Sequence, residues 1–314
     1  MGSSPAIAPV EHMPGTPYIM GPGAPAVMPH GAVSVPIGSQ MIREEHVPFP
    51  IRVQKVLREY LGELLGMWVF ISIGVGVNAQ YTVGTSDRET FLPTNLAWGF
   101  AIMAGVYVTA GVSGGHLNPA VSLAFFLYRD MNFWKMLGFW GVQLCGAYLG
   151  AAFTYLCWLP SINRYDGHIK KAEGPTGTGT IFYTLPQTFY TNGSHLWTEI
   201  YSTAILIIFV FAVTDRKNNP LVGPLAPIVI GFTVAALLLC FGLALNPARD
   251  LGPRLFTLSA GYGAETFNGH STYFWVPIFG PLFGAVLGGL MYIILIRPQL
   301  RDVVVMQSDE GSRA

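Results

Sequence analysis

Charge is scarce in this sequence. Of its 314 residues 11% are charged, against about 25% in an ordinary soluble domain. So few charges cannot cover a water-soluble body of this length. The apolar residues, 51% of the chain, are gathered into long runs, which points to lipid. The 17 basic and 17 acidic residues cancel to a net charge of zero. Binding a phosphate backbone needs clustered Lys and Arg, so no nucleic-acid partner is expected. Cysteine is nearly missing. Cys145, Cys157 and Cys240 stand singly within apolar stretches and read as small buried hydrophobes. No Cys-x-x-Cys or related spacing occurs, so neither a metal nor another cofactor is expected. No nucleophile–base pairing stands out, which leaves an enzyme without a candidate centre. A cationic opening segment with a cleavage site is also lacking, so no cleaved signal peptide is expected.

What is present divides the chain in three. Residues 1–50 carry Pro5, Pro9, Pro14, Pro17, Pro22, Pro25, Pro29, Pro36, Pro48 and Pro50 among Gly, Ser and Met. Proline removes backbone donors and blocks helix, so this stretch reads as a disordered tail. Residues 51–298 form the body, and 299–314 a second, short tail. The body holds six long apolar stretches, about 61–83, 94–112, 135–158, 196–213, 222–243 and 273–296. A helix crossing about 30 Å of hydrocarbon needs about 20 such residues. Charged or turn-forming clusters bound them, among them Arg129-Asp130 and Asp215-Arg216-Lys217. With the N-terminus inside, the inner side receives Arg43, Arg52, Lys55, Arg58, Arg129, Lys135, Arg216, Lys217, Arg297 and Arg301. The outer loops receive Arg88, Arg164, Lys170 and Lys171. That excess predicts both termini on the cytoplasmic side. Asn192-Gly193-Ser194, on an expected outer loop, matches the glycosylation triplet.

Two shorter apolar segments, about 118–128 and 246–256, each open with Asn-Pro-Ala: Asn118-Pro119-Ala120 and Asn246-Pro247-Ala248. Asn caps helix N-termini, and Pro suits the first helical position because its missing N–H had no partner there. Both segments therefore predict helices of about half a membrane's length. Backbone ending at membrane depth is tolerated only where it lines a cavity or is buried in protein. The chain also repeats itself. Glu63 opens the first span and Glu199 the fourth, and the half-helices occupy matching places. Repeat one covers about 55–158 and repeat two about 195–297. Three spans per repeat is odd, so the halves lie inverted. The fold class is an all-α membrane protein, with six transmembrane helices plus two re-entrant half-helices in an inverted repeat.

Two half-helices meeting by their N-termini would place positive dipole ends and unpaired N–H groups at the membrane centre. A cation is repelled there, while a neutral solute with a lone pair is not. Asn118 and Asn246 can donate to a passing oxygen. Arg249, in the first turn of the second half-helix, adds a positive barrier if it faces water, or else pairs with Asp250. Trp98 offers a flat apolar wall opposite Arg249, or else marks a lipid interface. Glu63 and Glu199 are either proton-relay groups or acceptors for loop N–H groups, and their symmetry favours the second. His116 lines an inner pore mouth or is a satisfied buried histidine.

At these residues the sequence resembles a known family. "SGGHLNPAV" at 113–121 and "NPARDLGPR" at 246–254 look like the two signature boxes of the major intrinsic protein (aquaporin) family. The resemblance covers about 55–297 and leans to the aquaglyceroporin branch, with a long tail like those of fungal members. Asp250 follows Arg249 where water-specific members usually carry a small residue, and Trp98 occupies the aromatic filter position. Leu243 stands where glycerol channels usually place Phe or Tyr. The stretch from Pro227 to Asn246 is shorter than in that branch, so the fifth-span filter residue is Leu238 or Val234. Neither is a histidine, which argues against a strict water filter. The resemblance implies a homotetramer with one pore per subunit in the plasma membrane. It also implies passive flow of glycerol, small neutral polyols and water through the bilayer. The alternatives are a water-selective aquaporin and an ion-coupled secondary transporter.

Overall fold

A computed structural model describes residues 49–84, 91–186, 189–220 and 222–300, with 49–53, 55, 56, 270 and 271 as backbone only. Most of residues 1–50 and of 299–314 therefore lie outside the described residues. Among the described residues six helices are long and apolar enough to cross a membrane. They are α1 (Phe49–Val83), α2 (Phe91–Thr109), α4 (Phe133–Asp166), α5 (Asn192–Thr214), α6 (Ala226–Phe241, extended by a 3-10 turn at Gly223–Leu225) and α9 (Val276–Leu295, extended by one at Tyr273–Trp275). Two short helices fall where the Asn-Pro-Ala boxes predicted them, α3 (Pro119–Tyr128) and α7 (Pro247–Thr257). A ninth, α8 (Glu265–Thr272), lies in the connection before α9 and has no apolar run to announce it.

Contacts between helices repeat in two matching sets. α1 packs on α4 as α5 packs on α9, and α1 on α2 as α5 on α6. Each half-helix lies against the third span of the opposite repeat, α3 on α9 and α7 on α4. α2 and α6, equivalent to each other, pack together. This is the pattern an inverted repeat imposes. Small residues let the helices close in, as expected where lipid tails supply little drive for association. At the α2–α6 crossing a Cβ on Gly99 would lie 2.6 Å from the Gly231 carbonyl oxygen, and one on Gly231 2.8 Å from that of Gly99.

Helix ends depart from the expected limits in both directions. α1 starts at Phe49, well before the apolar run, and α4 continues through Pro160 to Asp166. Beyond the bilayer a helix needs no apolar residues, so hydropathy is blind to such extensions. The cysteines correct an expectation outright. Cys145, Cys157 and Cys240 are free and exposed on outward helix faces, not buried. In a lipid-facing chain an apolar run does not tell protein-facing from outward-facing positions.

Candidate pore and constriction

The two half-helices meet at their N-termini. Asn118 caps α3 through its side-chain oxygen, which accepts from Ala120 N at 2.9 Å. Asn246 caps α7 through the same atom, which accepts from Ala248 N at 3.0 Å and Arg249 N at 3.2 Å. The amide groups then cross over. Asn118 Nδ2 donates to the Leu245 carbonyl at 2.9 Å, and Asn246 Nδ2 donates to the Leu117 carbonyl at 2.7 Å. Each NH₂ carries two donors, so this mutual bond leaves one on each residue for a third group. Pro119, Ala120, Pro247 and Ala248, the remaining box residues, are buried in the junction.

The residues before each asparagine are unusual. Leu117 (φ 46°) and Leu245 (φ 59°) occupy the left-handed region, where a bulky side chain costs on the order of 1–3 kcal/mol. They supply the carbonyls that receive the crossed amides. Nothing in the sequence announces this, since leucine is among the last residues expected there.

Two buried carboxylates support the bent loops. Glu63 accepts from His116 N at 2.9 Å, Leu117 N at 2.7 Å, Ser113 Oγ at 2.6 Å and Gln143 Nε2 at 2.7 Å. Glu199 accepts from Ala244 N at 2.9 Å and Leu245 N at 3.1 Å. Gln143 and Ser113 escaped the sequence reading. The signal was an amide standing alone in the third apolar stretch.

A cavity of about 70 Å³ opens at the junction, room for about five waters. Phe70, Ile102, Val106, Leu206, Val210 and Val234 contribute apolar lining, and Asn118, Asn246, His116 and the loop residues before each asparagine line it as well. His116 lines this cavity and is also satisfied. Its Nδ1 lies 3.1 Å from Ser122 Oγ, and its ring packs on Phe125 at 4.4 Å. Of the two fifth-span candidates, Val234 lines the cavity, whereas Leu238 and Leu243 are buried in the apolar cluster that contains Trp98.

Arg249 and Trp98 are in contact rather than facing each other across a gap. The guanidinium carbon of Arg249 lies 4.3 Å from the Trp98 ring centroid, a cation–π distance, strong where water is excluded. Trp98 is buried, so it is not a lipid-interface residue. Arg249 Nη1 is buried without a hydrogen-bond partner, and the nearest carboxylate oxygen, Asp250 Oδ2, is 3.8 Å away. Asp250 is engaged elsewhere. It accepts from Thr184 N at 2.8 Å, Thr184 Oγ1 at 2.6 Å and Arg254 Nε at 2.9 Å. Asp250 therefore ties the loop between α4 and α5 to α7. Arg254, four residues along the same helix and 3.9 Å above the Tyr183 ring, escaped the sequence reading; its signal was the i,i+4 spacing from Asp250.

Comparison with known proteins agrees with this architecture. The profile of the family described as major intrinsic protein matches residues 51–292. Human Aquaporin-9 is 37% identical over 243 residues, covering 76% of this chain and 82% of its own. Aquaglyceroporin-2 of Rhizophagus irregularis is 35% identical over 243 residues, with 76% and 77% covered. The solved aquaglyceroporin from Plasmodium falciparum superposes with a TM-score of 0.70 at 29% identity, covering 78% of this chain and 98% of that one. With two matched boxes, an inverted six-span body and a family profile over most of its length, the chain belongs to the major intrinsic protein family.

Proposed function

We propose that this chain is a passive channel for glycerol, other small neutral polyols and water, and that it excludes ions and protons. The observation that carries the reading is the crossed asparagine junction beside a cavity lined by both apolar side chains and polar groups. Two helix N-termini meet there, each equivalent to about half a positive charge. A hydroxyl or water arriving at the junction meets the remaining amide donors of Asn118 and Asn246 and accepts from them. A cation meets the same dipole ends, then Arg249. Polyols carry both carbon and hydroxyl groups, which suits a lining that is part apolar and part polar. Arg249 Nη1, buried and without an acceptor, would bond a solute hydroxyl at the Trp98 constriction. The names of the relatives, two aquaglyceroporins among them, support the same solute class.

Four copies per assembly, a plasma-membrane location and cytoplasmic termini complete the proposal. They rest on the family resemblance and on the basic residues of the loops. Stopped-flow light scattering of proteoliposomes separates the solute readings. Faster shrinkage in sucrose and faster re-swelling in glycerol, both relative to empty liposomes, are expected. Faster shrinkage with unchanged re-swelling would mean a water-selective pore.

A further inference from the structure

Trp98 rests on three α1 residues spaced four apart along one helix face. The Phe70 ring meets the indole edge-on, with centroids 5.5 Å apart and planes at 79°. At Gly74 any Cβ would collide with the six-membered part of the indole. One turn further, Asn78 Oδ1 accepts from the indole Nε1–H at 3.0 Å. The other end of that amide donates to the buried Ile181 carbonyl at 3.0 Å. The two bonds have opposite polarity, so one orientation of the amide satisfies both and the reverse orientation satisfies neither. Arg249 covers the remaining indole face. Ile181 lies in the loop that Asp250 anchors to α7 through Thr184. A recess of about 260 Å³, lined in part by Asn78, Thr82, Thr94 and Asn95, adjoins the amide.

We propose that Asn78 is a specificity-determining positioning residue. By holding the Trp98 indole and linking it to the Ile181 carbonyl, it sets the largest solute that passes the Trp98–Arg249 constriction. The proposal rests on the channel reading. It assigns Asn78 no contact with solute, so Asn78 acts through Trp98.

The test is the ratio of xylitol to glycerol permeability in proteoliposomes of the full chain. Asn78→Leu abolishes both bonds at similar volume and is expected to raise that ratio about three- to tenfold, the range one neutral hydrogen bond is worth. Asn78→Ser is too short to reach the indole and serves the same end if the leucine variant does not assemble. Asn78→Asp retains an oxygen for the indole N–H but gives up the donor to the Ile181 carbonyl, so it is expected to return the ratio only part of the way toward wild type. A merely structural role predicts no such rescue. An unchanged ratio in the leucine or serine variant, beside normal wild-type glycerol flux, overturns the assignment, as does an equal rise in the aspartate variant. Absence of glycerol flux in the wild-type chain would instead remove the channel reading, and this proposal with it.

Discussion

Arg249 is a buried cation whose environment is assembled from a ring face, a carboxylate at 3.8 Å and an open donor. A unit charge about 4 Å from a passing cation contributes about 4 kcal/mol at an effective dielectric of about 20. Arg249→Val is therefore expected to raise proton leak at least about tenfold, measured with a pH-sensitive dye inside liposomes. Unchanged leak would remove Arg249 from the barrier. Trp98→Ala removes the indole that rests on Gly74, at the proposed constriction, and is expected to let larger polyols through, which an unchanged ranking of polyol permeabilities would contradict. The two supporting carboxylates differ in load. Glu63 receives four donors and Glu199 receives two. Each buried donor left without an acceptor costs about 1–3 kcal/mol. Glu63→Ala should consequently lower the unfolding temperature in detergent further than Glu199→Ala. The reverse order would mean that these bonds do not govern the stability of the loops.

Helices were more legible than the bends between them. Twenty-residue apolar runs located the cores of all six spans, and an Asn-Pro start located both α3 and α7, because each signal reports a physical demand on a single segment. The limits of α1 and α4 were not legible, since a helix in water obeys no hydropathy rule. Asn78, Gln143 and Thr184 were passed over because each gains its role from partners between 20 and 103 positions away in the chain. Leu117 and Leu245 give no local sign of their left-handed backbone. It is forced on them by crossed bonds from the opposite repeat. Packing between helices makes a separate expectation. A Cβ on Gly284 of α9 would lie 2.5 Å from the Ile200 carbonyl oxygen and 2.7 Å from Thr203 Cβ on α5, whereas one on Gly141 of α4 meets nothing within 4 Å. Gly284→Ala should cost about 1–3 kcal/mol through overpacking, while Gly141→Ala leaves the unfolding temperature nearly unchanged. Equal effects would mean that the α5–α9 crossing has slack.

Taken together, the inverted repeat turns two ordinary helix caps into a single device. Each asparagine caps its own half-helix and braces the other, so the junction is held without moving parts, and the two leucine carbonyls are occupied by it. Such an arrangement conducts without an energy source, and His116, the ionisable ring that lines the junction cavity, is engaged with Ser122 Oγ. Glu63 and Glu199, the carboxyls nearest in role to a proton relay, are engaged with loop donors. The outward helix faces, including Phe100, Tyr107, Phe153 and Phe232, are large and apolar, as a surface covered by lipid or by neighbouring copies must be. The measurement that bears most directly on this account is glycerol re-swelling of proteoliposomes, followed by stopped-flow light scattering with and without imposed proton and sodium gradients. The account requires re-swelling faster than in empty liposomes and equal under all gradients. Re-swelling no faster than in empty liposomes, or driven by one of the gradients, would contradict it.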